Sequence, residues 1–221
     1  MLKILFPNKK ILRMDADSAN SVKKQKEILT IFKKGKANIL LGTQMIAKGL
    51  DFKNITLVIV INSDIGLMIP DFKSHEKVFQ LIYQVVGRAG RSEKKGKAII
   101  QTYQSDSHTI QMATNYDIEK FYNLQLDTRK SLNYPPFVRL IRLVFKGKNE
   151  SHCKSSADKI FRLLKIKFNN IIIGPLPCPI IKLSNNYRYH IILKAPHSQF
   201  KVVLKSIKNL KIQKKSLVYK G

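Results

Sequence analysis

The stretch Gln84-Val85-Val86-Gly87-Arg88-Ala89-Gly90-Arg91 lies at the end of a segment with helical periodicity. Its two glycines and its two arginines each recur at a spacing of three. Gly87 and Gly90 allow a close backbone approach, and Arg88 and Arg91 can point from one helix face toward a single anion. The stretch therefore favours polyphosphate binding, although a solvated, glycine-rich helix end would show the same pattern.

The segments around this stretch alternate between strand and helix. The pattern predicts strands at 11–14, 38–41, 57–61 and 97–102, and helices at 22–34 and 74–86. In the helix at 74–86 the predicted inward positions are Val78, Leu81, Ile82 and Val85. Uniformly apolar strands indicate a mostly parallel sheet that is covered on both faces. The expected fold is an α/β domain with both glycine-bearing loops at the carboxyl ends of its strands.

Residues beyond this domain follow a different order. Residues 107–132 are predicted to be mostly helical, and residues 133–137 break the helix, so we place a domain boundary at about residue 130 and predict two domains, 1–130 and 131–221. The predicted packing positions in that helix are Ile110, Met112, Ile118, Phe121 and Leu124. The second domain is predicted to be a small α+β unit of order β-α-β-β-α-β, a split βαβ whose sheet presents one open face.

The charge of the 221-residue chain is +27, and its pI is near 10.2, which favours a polyanionic partner, most simply nucleic acid. Asp158 is the last acidic residue, and the 63 residues after it carry 14 Lys or Arg. The C-terminal part is therefore predicted to carry the basic surface that binds the polyanionic partner. Lysine outnumbers arginine strongly, so compositional drift is an alternative source of part of this charge.

The two cysteines, Cys153 and Cys178, form no CxxC pattern and have no paired histidines near them. This predicts neither a disulfide framework nor a zinc site, and it fits a reducing, cytoplasmic setting. Asp71, His75 and Glu76 are metal-ligand residue types, but their context predicts a solvated helix start. No apolar run is long enough to span a bilayer, so we expect no membrane association.

A second stretch, Gly42-Thr43-Gln44-Met45-Ile46-Ala47-Lys48-Gly49-Leu50-Asp51-Phe52, precedes the first. Together the two stretches resemble the fifth and sixth motifs of superfamily 2 helicases. The chain more closely resembles the C-terminal portion of the PriA family of primosomal replication-restart helicases, and the likeness extends in order along nearly the whole chain. The further segments that match this family are Phe6-Pro7, 11–17, 71–76, Tyr134-Pro135-Pro136-Phe137, Gly174-Pro175 and Tyr187-Arg188-Tyr189.

The resemblance implies that residues 1–130 form part of a RecA-like second helicase lobe. In such motors ATP lies between two lobes, and arginines of the second lobe stabilise charge on the transferring phosphoryl group. Arg88 and Arg91 match those arginines. Gln84 matches a glutamine at the interlobe cleft, where it helps to sense the nucleotide, and Gly87 lets the backbone approach it; a helix-surface position is the alternative for Gln84.

The resemblance also implies roles for the fifth motif. Thr43 and Gln44 would donate hydrogen bonds to phosphates of the DNA strand, and Lys48 would add a further phosphate contact. Gly49 and Asp51 would couple that contact to the nucleotide site. A cap or turn role remains the alternative for Thr43, as does a loop hydrogen bond for Asp51.

For residues 131–221 the resemblance implies a DNA-binding module. Aromatic and cationic groups suited to bases and phosphates occur together in Tyr187, Arg188 and Tyr189. The track of DNA contacts that these residues would form would be extended by Lys182, Lys194 and Lys201. Because strand alternation sends the two tyrosines to one face and Arg188 to the other, packing is the alternative for at least one set. An RNA-recognition module is a weaker alternative, since the aromatic RNP1 pattern does not occur.

The sequence contains neither a phosphate-cradling G-x-x-x-x-G-K-[ST] loop nor an acidic Mg²⁺ motif. We therefore expect ATP and Mg²⁺ to bind only together with a first lobe, and we expect no ATPase from this chain alone. By resemblance, the expected partners are single-stranded or branched DNA, single-strand-binding protein, primosome proteins and a separately encoded N-terminal half. The alternative is a non-catalytic basic DNA-binding fragment or a relic of a split gene.

Overall fold

A computed structural model describes residues 2–15, 18–19, 21–43, 46, 55–89, 96–210 and 217–219, of which 88–89 and 217–219 are described as backbone. The chain divides into two compact units, residues 1–121 and 122–221. This division falls inside a helix, and the boundary at about residue 130 stays a prediction.

The first unit alternates between strands and helices. In chain order its elements are α1 (Leu2–Leu5), β1 (Ile11–Met14), α2 (Val22–Lys33), β2 (Ile39–Gly42), β3 (Leu57–Val60), α3 (Asp64–Leu67), α4 (Ser74–Ala89), β4 (Lys97–Ile100), α5 (His108–Thr114) and the first residues of α6 (Ile118–Ser131). Ser21 caps α2 by accepting a hydrogen bond from the Lys24 amide, and Gly35, at a φ of +68°, follows its end. The predicted mixed α/β character is confirmed.

The strands of this unit pair in parallel, as two separate two-stranded sheets. β1 pairs with β2, from Ile11 opposite Ile39 to Met14 opposite Gly42, and β3 pairs with β4 in the same orientation. The expectation of a sheet covered on both faces is wrong for the described residues. Leu57 and Ile59 are 49% and 51% exposed, because α4 packs against one face of the β3–β4 pair and burial alternates along both strands.

Four further expectations need correction. The helix predicted at 74–86 continues to Ala89, and the helix predicted at 107–132 is two helices, separated where Tyr116 adopts a φ of +59°. Ile118 and Leu124 are 37% and 39% exposed and are not packing positions, whereas Ile110, Met112 and Phe121 are buried as predicted. The glycine-bearing stretch at the end of α4 leads into the amino end of β4, since a helix that joins two parallel strands ends there.

The second unit contains the rest of α6 and a four-stranded antiparallel sheet. Its other elements are β5 (Arg139–Gly147), α7 (Glu150–Phe168), β6 (Ile172–Leu183), β7 (Asn186–Ala195), α8 (Phe200–Asn209) and β8 (Leu217–Tyr219), and the strand order is β6-β7-β5-β8. One face of the sheet packs on Leu164 and Phe168 of α7 and on Val203 and Ile207 of α8. The strands contribute Ile141, Leu143, Phe145, Ile172, Tyr189, Ile191, Leu193 and Ala195 to the same core.

Candidate functional site

Helix α4 carries the first part of the glycine-arginine stretch. Val78, Ile82 and Val85 form its buried stripe. At about 100° per residue, positions 84, 87 and 88 lie within about 100° of one another, with 84 and 87 turned away from that stripe and 88 at its flank. Gln84 is exposed and Gly87 is half-buried. The helix therefore brings three of the predicted nucleotide-site positions to one side.

An aromatic cluster supports this part of α4, and sequence reasoning missed it. The ring of Phe79 stacks on that of Phe121 at a centroid distance of 3.9 Å and on that of Tyr83 at 5.9 Å. Tyr83 meets Tyr116 edge to face at 5.0 Å. The aromatic spacing of four between residues 79 and 83 was a signal for such a helical ladder.

Gly87 lies inside the helix at the end of this cluster. A Cβ built on Gly87 would lie 3.5 Å from the Tyr116 hydroxyl oxygen, which is an ordinary contact distance. The packing of this unit therefore does not require a glycine at this position. A helical glycine costs about 0.5–1 kcal/mol relative to alanine, so its presence here is consistent with the close approach of a ligand.

The predicted phosphate-binding motif begins at the carboxyl end of β2. Gly42 ends the strand, and a Cβ there would collide with the Met14 carbonyl oxygen and the Ile46 side chain. Thr43 is exposed, and its carbonyl accepts a hydrogen bond from the Ile46 amide at 3.0 Å. Gly42 is thus needed for the close approach of two chain segments, and Thr43 is placed at the surface.

Several predicted site residues lie outside the described residues. These are Gln44, Lys48, Gly49, Asp51, Gly90 and Arg91, and only the backbone of Arg88 is described. Their assigned roles stay predictions.

A hydrogen-bonded carboxylate joins the carboxyl ends of β3 and β4, and the sequence analysis did not identify it. Asp64 is 2% exposed, and it accepts hydrogen bonds from the Thr102 hydroxyl at 2.6 Å and from the Tyr103 amide at 2.9 Å. The Thr102 hydrogen bond, followed by that from Tyr103, lowers the pKa of Asp64 below its usual value. Asp64 therefore fixes the loop after β3 in its ionised form.

A comparable turn follows β1. The Asp15 carboxylate accepts hydrogen bonds from the Ser18 hydroxyl at 2.6 Å and from the Ser18 amide at 2.8 Å, and it forms an ion pair with Arg13. These bonds, led by that from the Ser18 hydroxyl, lower the pKa of Asp15 to about 2. Because β1 and β2 are parallel and in register at Met14 and Gly42, this turn and Thr43 follow the same edge of the sheet.

The three residues Asp71, His75 and Glu76 surround the start of α4. The Asp71 carboxylate accepts hydrogen bonds from the Lys73 amide at 3.0 Å and from the Lys77 ammonium group at 3.1 Å. His75 Nδ1 lies 2.7 Å from the Thr109 hydroxyl. Within the part of the chain that the structure describes, no group of three His, Cys, Asp or Glu side chains is placed to hold a metal ion.

In the second unit, the packing alternative holds for both tyrosines of β7. Tyr189 is 9% exposed in the core, and its hydroxyl donates a hydrogen bond to Glu150 at 3.0 Å; Tyr187 packs against the same core. The prediction that Tyr189 stacks on bases is therefore not supported by its position, because strand alternation turns it toward the helices. Arg188 lies on the opposite face and is half-buried.

Two of the lysines proposed to extend the track contact aromatic rings. The Lys194 ammonium group donates a hydrogen bond to the Leu132 carbonyl at 2.6 Å and lies 3.9 Å from the centroid of the Tyr134 ring, and burial lowers its pKa. The Lys182 ammonium group lies 4.9 Å from the centroid of the Tyr187 ring. Lys201 is exposed on α8. Lys194 therefore has a structural role within the second unit.

A histidine-arginine pair on the same face as Arg188 was also missed. Arg142 donates hydrogen bonds to His190 Nδ1 from Nε at 3.2 Å and from Nη2 at 2.7 Å. His190 is 7% exposed. Its burial, followed by the nearby charges of Arg142 and Arg188, lowers its pKa to about 4. Alternation along β7 placed residue 190 beside 188, but no sequence signal pointed to Arg142 as its partner.

Comparison with known proteins gives two family matches. Residues 1–93 match the helicase conserved C-terminal domain, and residues 130–219 match the primosomal protein N C-terminal domain. The chain corresponds to the C-terminal portion of the PriA family of superfamily 2 helicases. The predicted resemblance to PriA is confirmed.

Curated PriA relatives align with most of this chain. Replication restart protein PriA of Bacillus subtilis is 41% identical over 206 residues, which cover 92% of this chain and 26% of that protein. The PriA protein of Borreliella burgdorferi is 39% identical over 99% of this chain and 33% of its own length, and that of Chlamydia pneumoniae is 38% identical over 89% and 27%. The chain thus spans a quarter to a third of these PriA proteins.

A solved structure, the C-terminal domain of the DEAD-box protein Dbp5, overlaps weakly, with a TM-score of 0.36 and 18% identity over 58% of this chain and 72% of that one. None of the described helices has the length and apolar character needed to cross a membrane.

Proposed function

We propose that this chain supplies the C-terminal part of an ATP-dependent 3′-5′ DNA helicase that acts in replication restart and primosome assembly. Residues 1–130 would form part of the second RecA-like lobe, and residues 131–221 a DNA-binding domain. The observation that carries the proposal is the register of α4, which brings Gln84, Gly87 and position 88 to one side of a helix whose other side is buried.

The residues present fit a shared nucleotide site. Gln84 is exposed, and Gly87 leaves room that its own unit does not fill. Arg88 and Arg91 would contact the phosphates of a nucleotide held by a first lobe, where they would stabilise the charge that develops on the transferring phosphoryl group. ATP and Mg²⁺ would supply the phosphoryl-transfer chemistry when bound.

The fifth motif would contact DNA at the carboxyl end of β2. Thr43 is exposed there, and its hydroxyl would donate a hydrogen bond to a backbone phosphate, together with Gln44 and Lys48. Gly49 and Asp51 would relate that contact to the nucleotide site. The proposed setting is cytoplasmic, with single-stranded or branched DNA, single-strand-binding protein, primosome proteins and a polypeptide carrying the first lobe as partners.

The decisive experiment is a complementation assay of ATP hydrolysis. We expect the chain alone to be inactive, and we expect a mixture with a polypeptide that carries the first lobe to show DNA-stimulated ATPase activity. Arg88→Ala should lower that activity by about 10³-fold or more, because an arginine that stabilises the transition state contributes this much. Arg162→Ala, at an exposed arginine of α7, is the matched control and should leave it unchanged.

A second candidate function is a DNA-binding fragment without a motor. The observation that favours it is the complete core of the second unit, which buries residues from all of β5, β6, β7, α7 and α8. Absence of ATPase activity in every mixture, together with salt-dependent DNA binding by the chain, would favour this alternative over the helicase component.

A further inference from the structure

Strands β5 and β7 carry four cations on the face opposite the helix-packed core. One of them, Lys194, donates a hydrogen bond to the Leu132 carbonyl, and the other three lie farther along the paired strands. Because core residues alternate with them along both strands, Arg142, Lys146 and Arg188 share this face. Lys146 is directly opposite Arg188 in the strand register. Arg142 lies four residues before Lys146 on the same strand, a separation of about 13 Å.

No carboxylate on the sheet neutralises these charges. The sequences of all four strands lack Asp and Glu, and the two acidic residues after position 138, Glu150 and Asp158, belong to α7 on the other side of the sheet. The Nε atom of Arg188 is buried and has no hydrogen-bond partner among the described residues. Like charges with an unsatisfied donor are unfavourable, and an anion that accepts hydrogen bonds would relieve both costs.

His190 orients one of the three cations. A guanidinium group can only donate, so the hydrogen bonds from Arg142 require His190 Nδ1 to accept, with the imidazole neutral and its proton on Nε2. The two bonds hold the plane of the Arg142 guanidinium and leave its remaining N–H groups for a ligand. His190 is thus a positioning residue for Arg142.

The β5 and β7 positions on this face offer no exposed aromatic ring for base stacking, and the ring of Tyr134, near the end of the face, lies 3.9 Å from the Lys194 ammonium group. Alternation turns Tyr187 and Tyr189 toward the helices, and the positions of β5 and β7 that share the cationic face are aliphatic, cationic or amide side chains apart from His190, which is buried. Proteins that bind single strands through their bases present exposed aromatic rings for this purpose. The chemistry of the face therefore suits phosphates rather than bases.

We propose that Arg142, Lys146 and Arg188, with Arg142 oriented by His190, form a phosphate face that binds the sugar-phosphate backbone of single-stranded DNA without contacting its bases. This proposal rests on the DNA-binding role proposed above and deepens it, since it names the surface, the chemical group that is bound and the base-independence of binding.

The test uses the full chain and two probes, an oligo-dT strand and an abasic strand of the same length. We expect equal affinity for the two probes within about threefold. In the variant Arg142→Gln, Lys146→Gln, Arg188→Gln, we expect the affinity for both to fall about tenfold or more. The slope of log K against log salt should decrease in magnitude by about 2, because about 0.7 is lost for each phosphate contact on a single strand.

The matched control removes the same charge elsewhere. In Lys154→Gln, Lys205→Gln, Lys208→Gln, three exposed lysines of α7 and α8 are neutralised, and we expect less than a threefold loss of affinity. Equal losses of DNA affinity in this control and in the triple variant of the phosphate face, called here the face variant, would overturn the proposal. Binding would then follow net charge alone. A tenfold preference for oligo-dT over the abasic strand would overturn its base-independence.

A double-mutant cycle tests the positioning role. His190→Leu should weaken binding about threefold or more without changing the charge, and it should have no further effect in an Arg142→Gln background, since its effect acts through Arg142. Additive losses would contradict the role, as would a loss of binding in His190→Leu that exceeds the loss in Arg142→Gln. Far-ultraviolet circular dichroism identifies unfolded variants.

The two proposals fail in different ways. If the parent chain binds no DNA, the DNA-binding role fails and the phosphate face with it. If the parent chain binds DNA and the face variant binds equally well, the phosphate face alone fails.

Discussion

The parallel strand pairs of the first unit and the antiparallel sheet of the second bury their apolar residues to different extents. In the β3–β4 pair, Leu57, Ile59 and Ile99 are between 40% and 51% exposed, whereas Ile191 and Leu193 of β7 are fully buried. In the described residues, α4 packs on one face of β3–β4, while two helices complete the core on β5–β7. Among the described residues, the β3–β4 pair is therefore less fully covered than the β5–β7 pair, although each unit has a buried core cluster.

The largest effect that tests this contrast comes from matched core truncations. Leu193→Ala should lower the free energy of unfolding by about 3–4 kcal/mol, because it leaves a cavity in a closed core. Ile59→Ala, at a position that is 51% exposed, should lower it by less than about 1 kcal/mol. Urea denaturation followed by circular dichroism measures both. A loss at Ile59 as large as that at Leu193 would show that the two sheets are equally well packed.

The pH dependence of stability should also separate the two units. The pKa of His190 is lowered from 6.5 to about 4 in the folded chain. As the pH falls, the unfolded state therefore binds a proton at this histidine before the folded state does. The stability of the second unit should fall as the pH drops from about 6.5 to 4. His190→Gln should remove this dependence, which denaturation midpoints measured at a series of pH values would show. A midpoint that is constant between pH 7 and 4.5 would contradict the neutral, buried histidine.

The corresponding change in the first unit should occur at lower pH. The pKa values of Asp64 and Asp15 are lowered, so their stabilising effect is present above the ordinary aspartate pKa of 3.8 and is lost as the pH falls through the folded-state values. Asp64→Asn should destabilise the unit at neutral pH and reduce its acid sensitivity. An unchanged thermal midpoint in Asp64→Asn at pH 7 would show that the hydrogen bonds to Thr102 and Tyr103 contribute little.

The smallest expected change in stability is at Gly87. Gly87→Ala should stabilise the first unit by about 0.5–1 kcal/mol, since alanine favours the helix and its Cβ fits beside Tyr116. The same substitution should impair DNA-stimulated ATPase activity in the complementation assay, where a close-approaching ligand would meet the added methyl group. Asn123→Ala, at an exposed position of α6, is the control, because it also favours a helix but leaves the motif unchanged, and it should not alter the ATPase activity.

The sequence was sufficient to predict most helices and strands, because their apolar periodicities are local. It did not predict that α4 would extend to Ala89, since a glycine such as Gly87 is an ordinary helix-ending signal. Nor did it predict the break at Tyr116, where a tyrosine adopts a conformation that usually favours glycine.

The candidate site was only partly predictable for a similar reason. The motif residues were identified by their resemblance to helicase motifs, and the register of α4 then placed three of them on one side. The pair Arg142 and His190 joins residues 48 positions apart, and Asp64 and Thr102 are 38 apart, so neither pair has a local signal. The tyrosines of β7 were predicted to contact DNA because aromatic side chains can stack on bases. Strand alternation instead turns their side chains toward the core.

Strand β5 holds both the centre of a hydrophobic core and two of the proposed phosphate contacts, one residue apart along the chain. Ile141, Leu143 and Phe145 face the helices, and Arg142 and Lys146 face the other way. A single inserted or deleted residue near the start of β5 would exchange the two sets, placing both cations among aliphatic side chains. This strand should therefore tolerate substitutions at Lys146 far better than any change in its length.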